Sequence, residues 1–179
     1  MHMALRSRGW TLAELHRLPD DGNKYELVRG ELFVTPPPTP DHETVLSRLT
    51  RILDPYAASN GLGMVYRPRS VVRFEGSEVE PDLMIRHPYP GVGANWNDWP
   101  LPVLVVEVLS DSTRRRDLGA KRQLYLDAGI PEYWIVDVAA RHIRVVRSPE
   151  SEEVVADNFT WMPKEVDGPL VVEIQAVFG

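Results

Sequence analysis

Val103-Leu104-Val105-Val106-Glu107-Val108-Leu109 is apolar and mostly β-branched, with a single carboxylate set inside it. A run of this kind reads as a strand buried on both faces. Downstream, Tyr133-Trp134-Ile135-Val136-Asp137-Val138 has the same character. Between the two, a helix is predicted from Arg115 to Ala128, closed by Gly129. Strand, helix and strand in that order make a βαβ unit, so the two strands are predicted to be parallel. The fold class that follows is mixed α/β.

Upstream of that unit, Gly63 to Arg67, Ser70 to Phe74 and Val79 to Ile85 read as strands, and His87 to Pro100 as a polar, Trp-containing loop. Tyr25 to Val28 and Glu31 to Val34 flank Arg29-Gly30, which is the signature of an N-terminal β-hairpin. Thr11 is placed to cap a short helix running to Leu18, with Glu14 at the capping-box position. Asp41 is read as the cap of a longer helix. Val45, Leu46, Leu49, Ile52 and Leu53 recur along one face of it, and Asn60-Gly61 ends it. Pro36-Pro37-Pro38 with Pro40 is a short rigid connection rather than a domain linker. Beyond the βαβ unit, Ile143 to Val146 alternates like an edge strand, and Glu152 to Trp161 and Leu170 to Phe178 add β-structure. With no internal repeat, 179 residues suit one domain spanning 1–179.

The chain has no cysteine, which excludes disulfides and thiolate metal sites and fits a reducing compartment. Met1 to Gly9 carries no signal-like apolar run, and no stretch is long and apolar enough to span a bilayer. A cytoplasmic protein with no membrane partner is expected. The net charge of −6 argues against gripping nucleic acid by bulk electrostatics. It suits a carboxylate cluster awaiting a divalent cation. Arg114-Arg115-Arg116 is a locally basic exception.

Glu107 is the residue out of place. A carboxylate in a buried strand must be paired, hydrogen-bonded or bound to metal. Asp82, after Pro81 in the preceding strand region, is the natural second ligand for a hard cation that activates water. Lys121, on the following helix, can set a positive charge against the same phosphate. Each residue also has a plainer reading: Pro-Asp as a turn, Glu107 as the partner of one of the three arginines, Lys121 as a solvated lysine. Tyr125, Tyr133 and Trp134 read as core. The segment Asn95-Trp96-Asn97-Asp98-Trp99 offers two tryptophans either to stack on bases or to cover a sheet edge or a partner chain, and covering is the stronger reading.

Pro81-Asp82-Leu83, the block Glu107 to Thr113, Arg116-Asp117-Leu118-Gly119-Ala120-Lys121, Tyr125 and Gly129 to Asp137 together resemble the Uma-two family of restriction-endonuclease-like proteins. Tyr25-Glu26-Leu27, Gly30-Glu31 and the Pro-rich approach to His42 match as well. The resemblance runs from about Thr11 to Arg147. It implies the Pro-Asp…Glu-x-Lys nuclease core, a mixed sheet flanked by helices. Asp82 and Glu107 would be metal ligands, with the Val108 carbonyl as a third and Glu26 as a further acidic group. His42 would either reach the site from the start of its helix or only cap and pack there. The chain departs from that pattern at Leu109, where a lysine is expected, so Lys121 would have to supply the ammonium. The function implied is a Mg²⁺- or Mn²⁺-dependent endonuclease acting on nucleic acid, DNA first, as a possible homodimer. The alternatives are a catalytically inactive relative that binds nucleic acid or serves a structural role, and a hydrolase of another class using paired carboxylates.

Overall fold

In the computed structural model, residues 9–164 and 166–179 are described. The N-terminal stretch read above for a targeting signal lies outside them up to residue 8. The central strand is where the apolar run places it. β7 (Leu104–Val108) lies between β6 (Leu83–Arg86), antiparallel to it, and β8 (Tyr133–Asp137), parallel to it. β9 (His142–Val146) and β10 (Glu152–Val155) extend the sheet on one side, and β3 (Met64–Tyr66) closes it on the other. β9 is therefore interior and not an edge, because β10 pairs with it from Ile143 to Val146. A second sheet has the order β2-β1-β5-β4, from Glu31–Thr35, Lys24–Val28, Ser77–Val79 and Val72–Phe74. β11 (Asn158–Trp161) and β12 (Leu170–Glu173) form a separate ribbon.

Alternation along β7 divides the core. Leu104, Val106 and Val108 face a layer containing α2 (Pro40–Ser59), the β11–β12 ribbon and α5 (Ile174–Phe178). Val105 and Leu109 pack with Leu124, Tyr125, Val28 and Val79, that is, with α4 (Ala120–Asp127) and the four-stranded sheet. Glu107 shares the parity of Val105 and Leu109, so its carboxylate points into the second layer.

Besides β9, five local readings are corrected by the structure; of Leu170 to Phe178, only Leu170–Glu173 is strand and Ile174–Phe178 is helix α5. Val79 to Ile85 is not one strand. Pro81 has no N–H for a ladder, and Glu80-Pro81-Asp82 carries the chain from the small sheet into the large one. The helix predicted after β7 is broken at Gly119 into α3 (Arg114–Leu118) and α4. α2 is capped by Thr39, whose side chain accepts from the His42 N–H, with Pro40 at the first helical position and Asp41 inside the first turn. The N-terminal helix α1 (Leu12–Leu15) stops short of Leu18, although its Thr11–Glu14 capping box is formed.

The hairpin turn is as expected. Arg29 and Gly30 both take positive φ, the requirement of a tight two-residue connection. No described helix is long and apolar enough to cross a membrane.

Candidate active site

Asp82 and Glu107 come together because of strand register. Leu83 pairs with Val106 and Met84 with Val105. Extending that antiparallel ladder by one residue sets Asp82 opposite Glu107, and directly opposed residues project to the same face. The loop that lets the chain change sheets thus places its last residue beside the carboxylate in the central strand.

Both oxygens of Asp82 are engaged. Oδ1 accepts from Lys24 Nζ at 2.9 Å, and Oδ2 accepts from the Val108 N–H at 2.9 Å and from His42 Nε2 at 3.1 Å. Burial alone would raise the Asp82 pKa, but Lys24 and His42 overcome it and hold the group well below the usual carboxylate range. Burial disfavours the charged form of His42, yet the Asp82 hydrogen bond and charge leave its pKa above the ordinary value. His42 stands in the first turn of α2, so the capping that starts that helix also aims the imidazole at Asp82.

A sealed charge network lies beneath. Glu26, Glu107 and Lys121 are each fully buried. Lys121 Nζ donates to Glu26 Oε1 at 2.7 Å and pairs with Glu107 Oε1. Tyr125 Oη donates to the same Glu107 oxygen at 2.9 Å. Glu26 also accepts the Glu80 N–H at 2.9 Å and pairs with Arg116 at 3.1 Å. Burial pushes Glu26 up, but Lys121, Lys24 and Arg116 bring it down to about 2. Burial dominates at Glu107, which is pushed up to about 8 with Lys121 pulling only part of the way back. Glu107 Oε2 is buried and, among the described residues, makes no hydrogen bond.

Above this network is a cleft of about 380 Å³. Asp82, His42, Lys24, Glu80 and Val108 stand in its wall, with Pro36 to Pro38, Arg67, Arg69, Ser110 and Ser112 around them. Glu26, Glu107 and Lys121 are not among its lining residues. The structure therefore brings all five sequence-derived candidates into one neighbourhood, but in two tiers: Asp82 and His42 facing the cleft, Glu26, Glu107 and Lys121 beneath.

A family profile, Uma2, described as "Putative restriction endonuclease", matches residues 12–175. The chain belongs to the Uma2 family. Among solved structures, one described as a putative nuclease belonging to DUF820 from Anabaena variabilis ATCC 29413 superimposes with a TM-score of 0.78. It is 19% identical and covers 94% of this chain and 97% of its own. That likeness shows a shared fold. No curated protein matches the chain. The Uma2 resemblance read from Pro81-Asp82 and the Glu107 block is thereby established, and so is the mixed α/β fold of a restriction-endonuclease-like protein.

Three features of this Uma2 protein escaped the sequence reading. Lys24 was passed over because a lysine opening a hairpin strand is ordinarily solvated. Its one visible signal is the i, i+2 spacing to Glu26, which puts both on one face of β1. Arg116, within the locally basic run, is buried against Glu26 and Asp117 and does not pair with Glu107 as the alternative reading had it. The tryptophan loop folds over Arg86, which is buried and has no acidic partner among the described residues. The Arg86 guanidinium donates to the carbonyls of Val71, Trp99 and Pro100 and lies 4.8 Å from the Trp99 ring centroid. Trp96 stacks on Trp99. Trp99 is only 7% exposed, so it packs the loop and is not available to stack on a base.

Proposed function

We propose that the protein is a Mg²⁺- or Mn²⁺-dependent endonuclease that hydrolyses phosphodiester bonds, with DNA as substrate and a homodimer as the form that cuts both strands. The observation that carries this reading is the meeting of Asp82, in the wall of an open cleft, with Glu107, buried beneath it on the same face of the sheet, whose Oε2 makes no hydrogen bond among the described residues. Among the described residues no three His, Asp or Glu side chains converge into a cage. Mg²⁺ does not require one, since it is held by one or two carboxylates together with water and substrate phosphate oxygens.

Asp82, Glu107 and the Val108 carbonyl fit such a cation as a hard, all-oxygen donor set. When bound, the cation supplies a Lewis acid for the phosphoryl group and a water of lowered pKa. The chain's own residues prepare that chemistry. Lys121 and Tyr125 hold Glu107 Oε1, so Oε2 is the oxygen left to a ligand. His42 and the Val108 N–H fix the plane of the Asp82 carboxylate. The hydroxyls of Ser110 and Ser112 offer phosphate contacts in the cleft wall, between the rigid prolines and the β7–α3 loop.

The test is nicking of supercoiled plasmid with Mg²⁺, Mn²⁺ or EDTA, set beside calorimetric titration of Mn²⁺. The parent should nick only with metal. Asp82→Asn should lower the nicking rate by about 10²–10³-fold, the scale expected on losing one electrostatic stabiliser of a transition state, and should weaken Mn²⁺ binding. A parent that binds DNA but never cuts it with either metal would make the chain a non-catalytic member of its family.

A further inference from the structure

Resting on the nuclease reading above, we propose that Lys24 is the residue whose ammonium meets the substrate phosphate, while Lys121 is a positioning residue that sets Glu107 from below. The two lysines approach the same pair of carboxylates from opposite sides, and their surroundings divide the work.

Lys121 is committed. Its side chain is 0% exposed and its ammonium is flanked by Glu26 and Glu107. To touch a phosphate in the cleft it would have to leave Glu107 without its counter-ion and Glu26 with Arg116 alone, which is expensive in a low-dielectric interior. Its place under the floor suits orientation of Glu107 and not contact with substrate.

Lys24 is poised. It lies in the wall of the cleft with 14% of its side chain exposed. Among the described residues its ammonium makes two hydrogen bonds, to Asp82 Oδ1 at 2.9 Å and to the Glu80 carbonyl at 3.0 Å. An ammonium has three N–H donors, so one remains for an incoming oxygen. The other cations of the cleft are already tied to acids: Arg67 pairs with Glu43, and Arg69 with Asp20 and Glu80. Lys24 is also in direct contact with Asp82. A phosphate oxygen drawn to that carboxylate's cation would arrive within reach of the Lys24 ammonium. The lysine that Leu109 displaces from the β7 strand is thus replaced in space by one on β1.

The chain contains only three lysines, Lys24, Lys121 and Lys164, and Lys164 is exposed, so each amine can be followed separately by mass spectrometry. The protein is acylated with an amine-reactive ester in EDTA, with and without a saturating DNA duplex. Lys164 should label equally in both, Lys121 in neither, and Lys24 slowly in the free protein and about 10-fold less with DNA. Salt-dependent anisotropy of the same duplex gives a second reading. Lys24→Gln should weaken binding and lower the log–log salt slope by about one charge, and Lys24→Arg should restore both. Should Lys24→Gln fail to fold, the labelling of the parent decides alone. Lys24 labelling at an unchanged rate in the presence of bound DNA overturns the assignment, as does a folded Lys24→Gln with the parent's affinity and slope. A parent that binds no DNA at low salt removes the nuclease reading itself and this assignment with it, whereas a parent that nicks DNA while Lys24 stays unprotected removes only the assignment.

Discussion

Lys121→Ala is expected to lower the unfolding free energy by about 3–5 kcal/mol, the range found when one partner of a buried ion pair is removed. The reason is the sealed tier beneath the cleft. Lys121, Glu26 and Glu107 are all fully buried, and the ammonium touches both carboxylates. Without it, Glu26 keeps Arg116, but Glu107 keeps only the Tyr125 hydroxyl. A lysine that did no more than meet a phosphate would stop cleavage on removal and spare the fold. The geometry predicts that Lys121→Ala also costs stability, so a loss of cleavage in this variant does not by itself assign Lys121 a chemical role. The loss should also depend on pH. Burial pushes Glu107 up from 4.5 to about 8 even with Lys121 present, and removal of the ammonium drives it further up. A carboxyl whose folded pKa is raised contributes stability that is fully present below its unfolded pKa and is lost as pH rises through the folded value. Below about pH 8 both forms keep Glu107 protonated and lose stability alike, so Lys121→Ala should fall further behind the parent at pH 9, where the parent ionises Glu107 beside the ammonium, than at pH 7. Urea unfolding followed by circular dichroism at the two pH values measures both effects. A variant within 1 kcal/mol of the parent at pH 8 would contradict the buried network.

Gly63→Ala is expected to destabilise by about 4 kcal/mol or more, at the exceptional end for a single substitution. Gly63 has φ +105, a region that L side chains rarely adopt. A Cβ there would stand 1.8 Å from the Arg86 carbonyl oxygen and 2.7 Å from its carbon. The obstacle is backbone at the end of β6, in a segment pinned from the other side by the Arg86 hydrogen bonds to the tryptophan loop. No rotamer relieves a clash with a peptide group, so β3 would have to pull away from β6. Gly61, also at positive φ, has open space where its Cβ would go and is the control: Gly61→Ala should show only the modest cost of its φ. Thermal melts of the two variants beside the parent test this. A Gly63→Ala variant that melts together with Gly61→Ala would show that the β3–β6 approach is looser than described.

What the sequence by itself determined about this protein was everything carried by short-range pattern. The β-branched run at Val103 to Leu109 and its partner at Tyr133 have to be buried strands whatever surrounds them. The intervening helix makes them parallel, Arg29-Gly30 makes a hairpin, and the Pro81-Asp82 and Glu107 blocks were distinctive enough to indicate the family. Each of these rests on periodicity, turn chemistry or a motif within a few residues. Where local signals competed, the reading slipped by a residue or an element. Thr39 with Pro40 outbid Asp41 as the start of α2, and Gly119 split a helix that apolar spacing alone would have continued. The tertiary structure decided what depends on partners far apart in the chain. Glu26 and Lys121 are 95 positions apart, Lys24 and Asp82 58, and no periodicity encodes either meeting. The sheet change at Glu80 to Asp82 depends on which of two sheets has an edge to offer, and a single strand's sequence does not contain that information. Most of all, the division of the charged residues into a cleft-facing tier and a sealed tier is a matter of what covers them. Burial is a property of the packed assembly, and it is burial that turns two otherwise similar lysines into one that can be reached by a substrate and one that cannot.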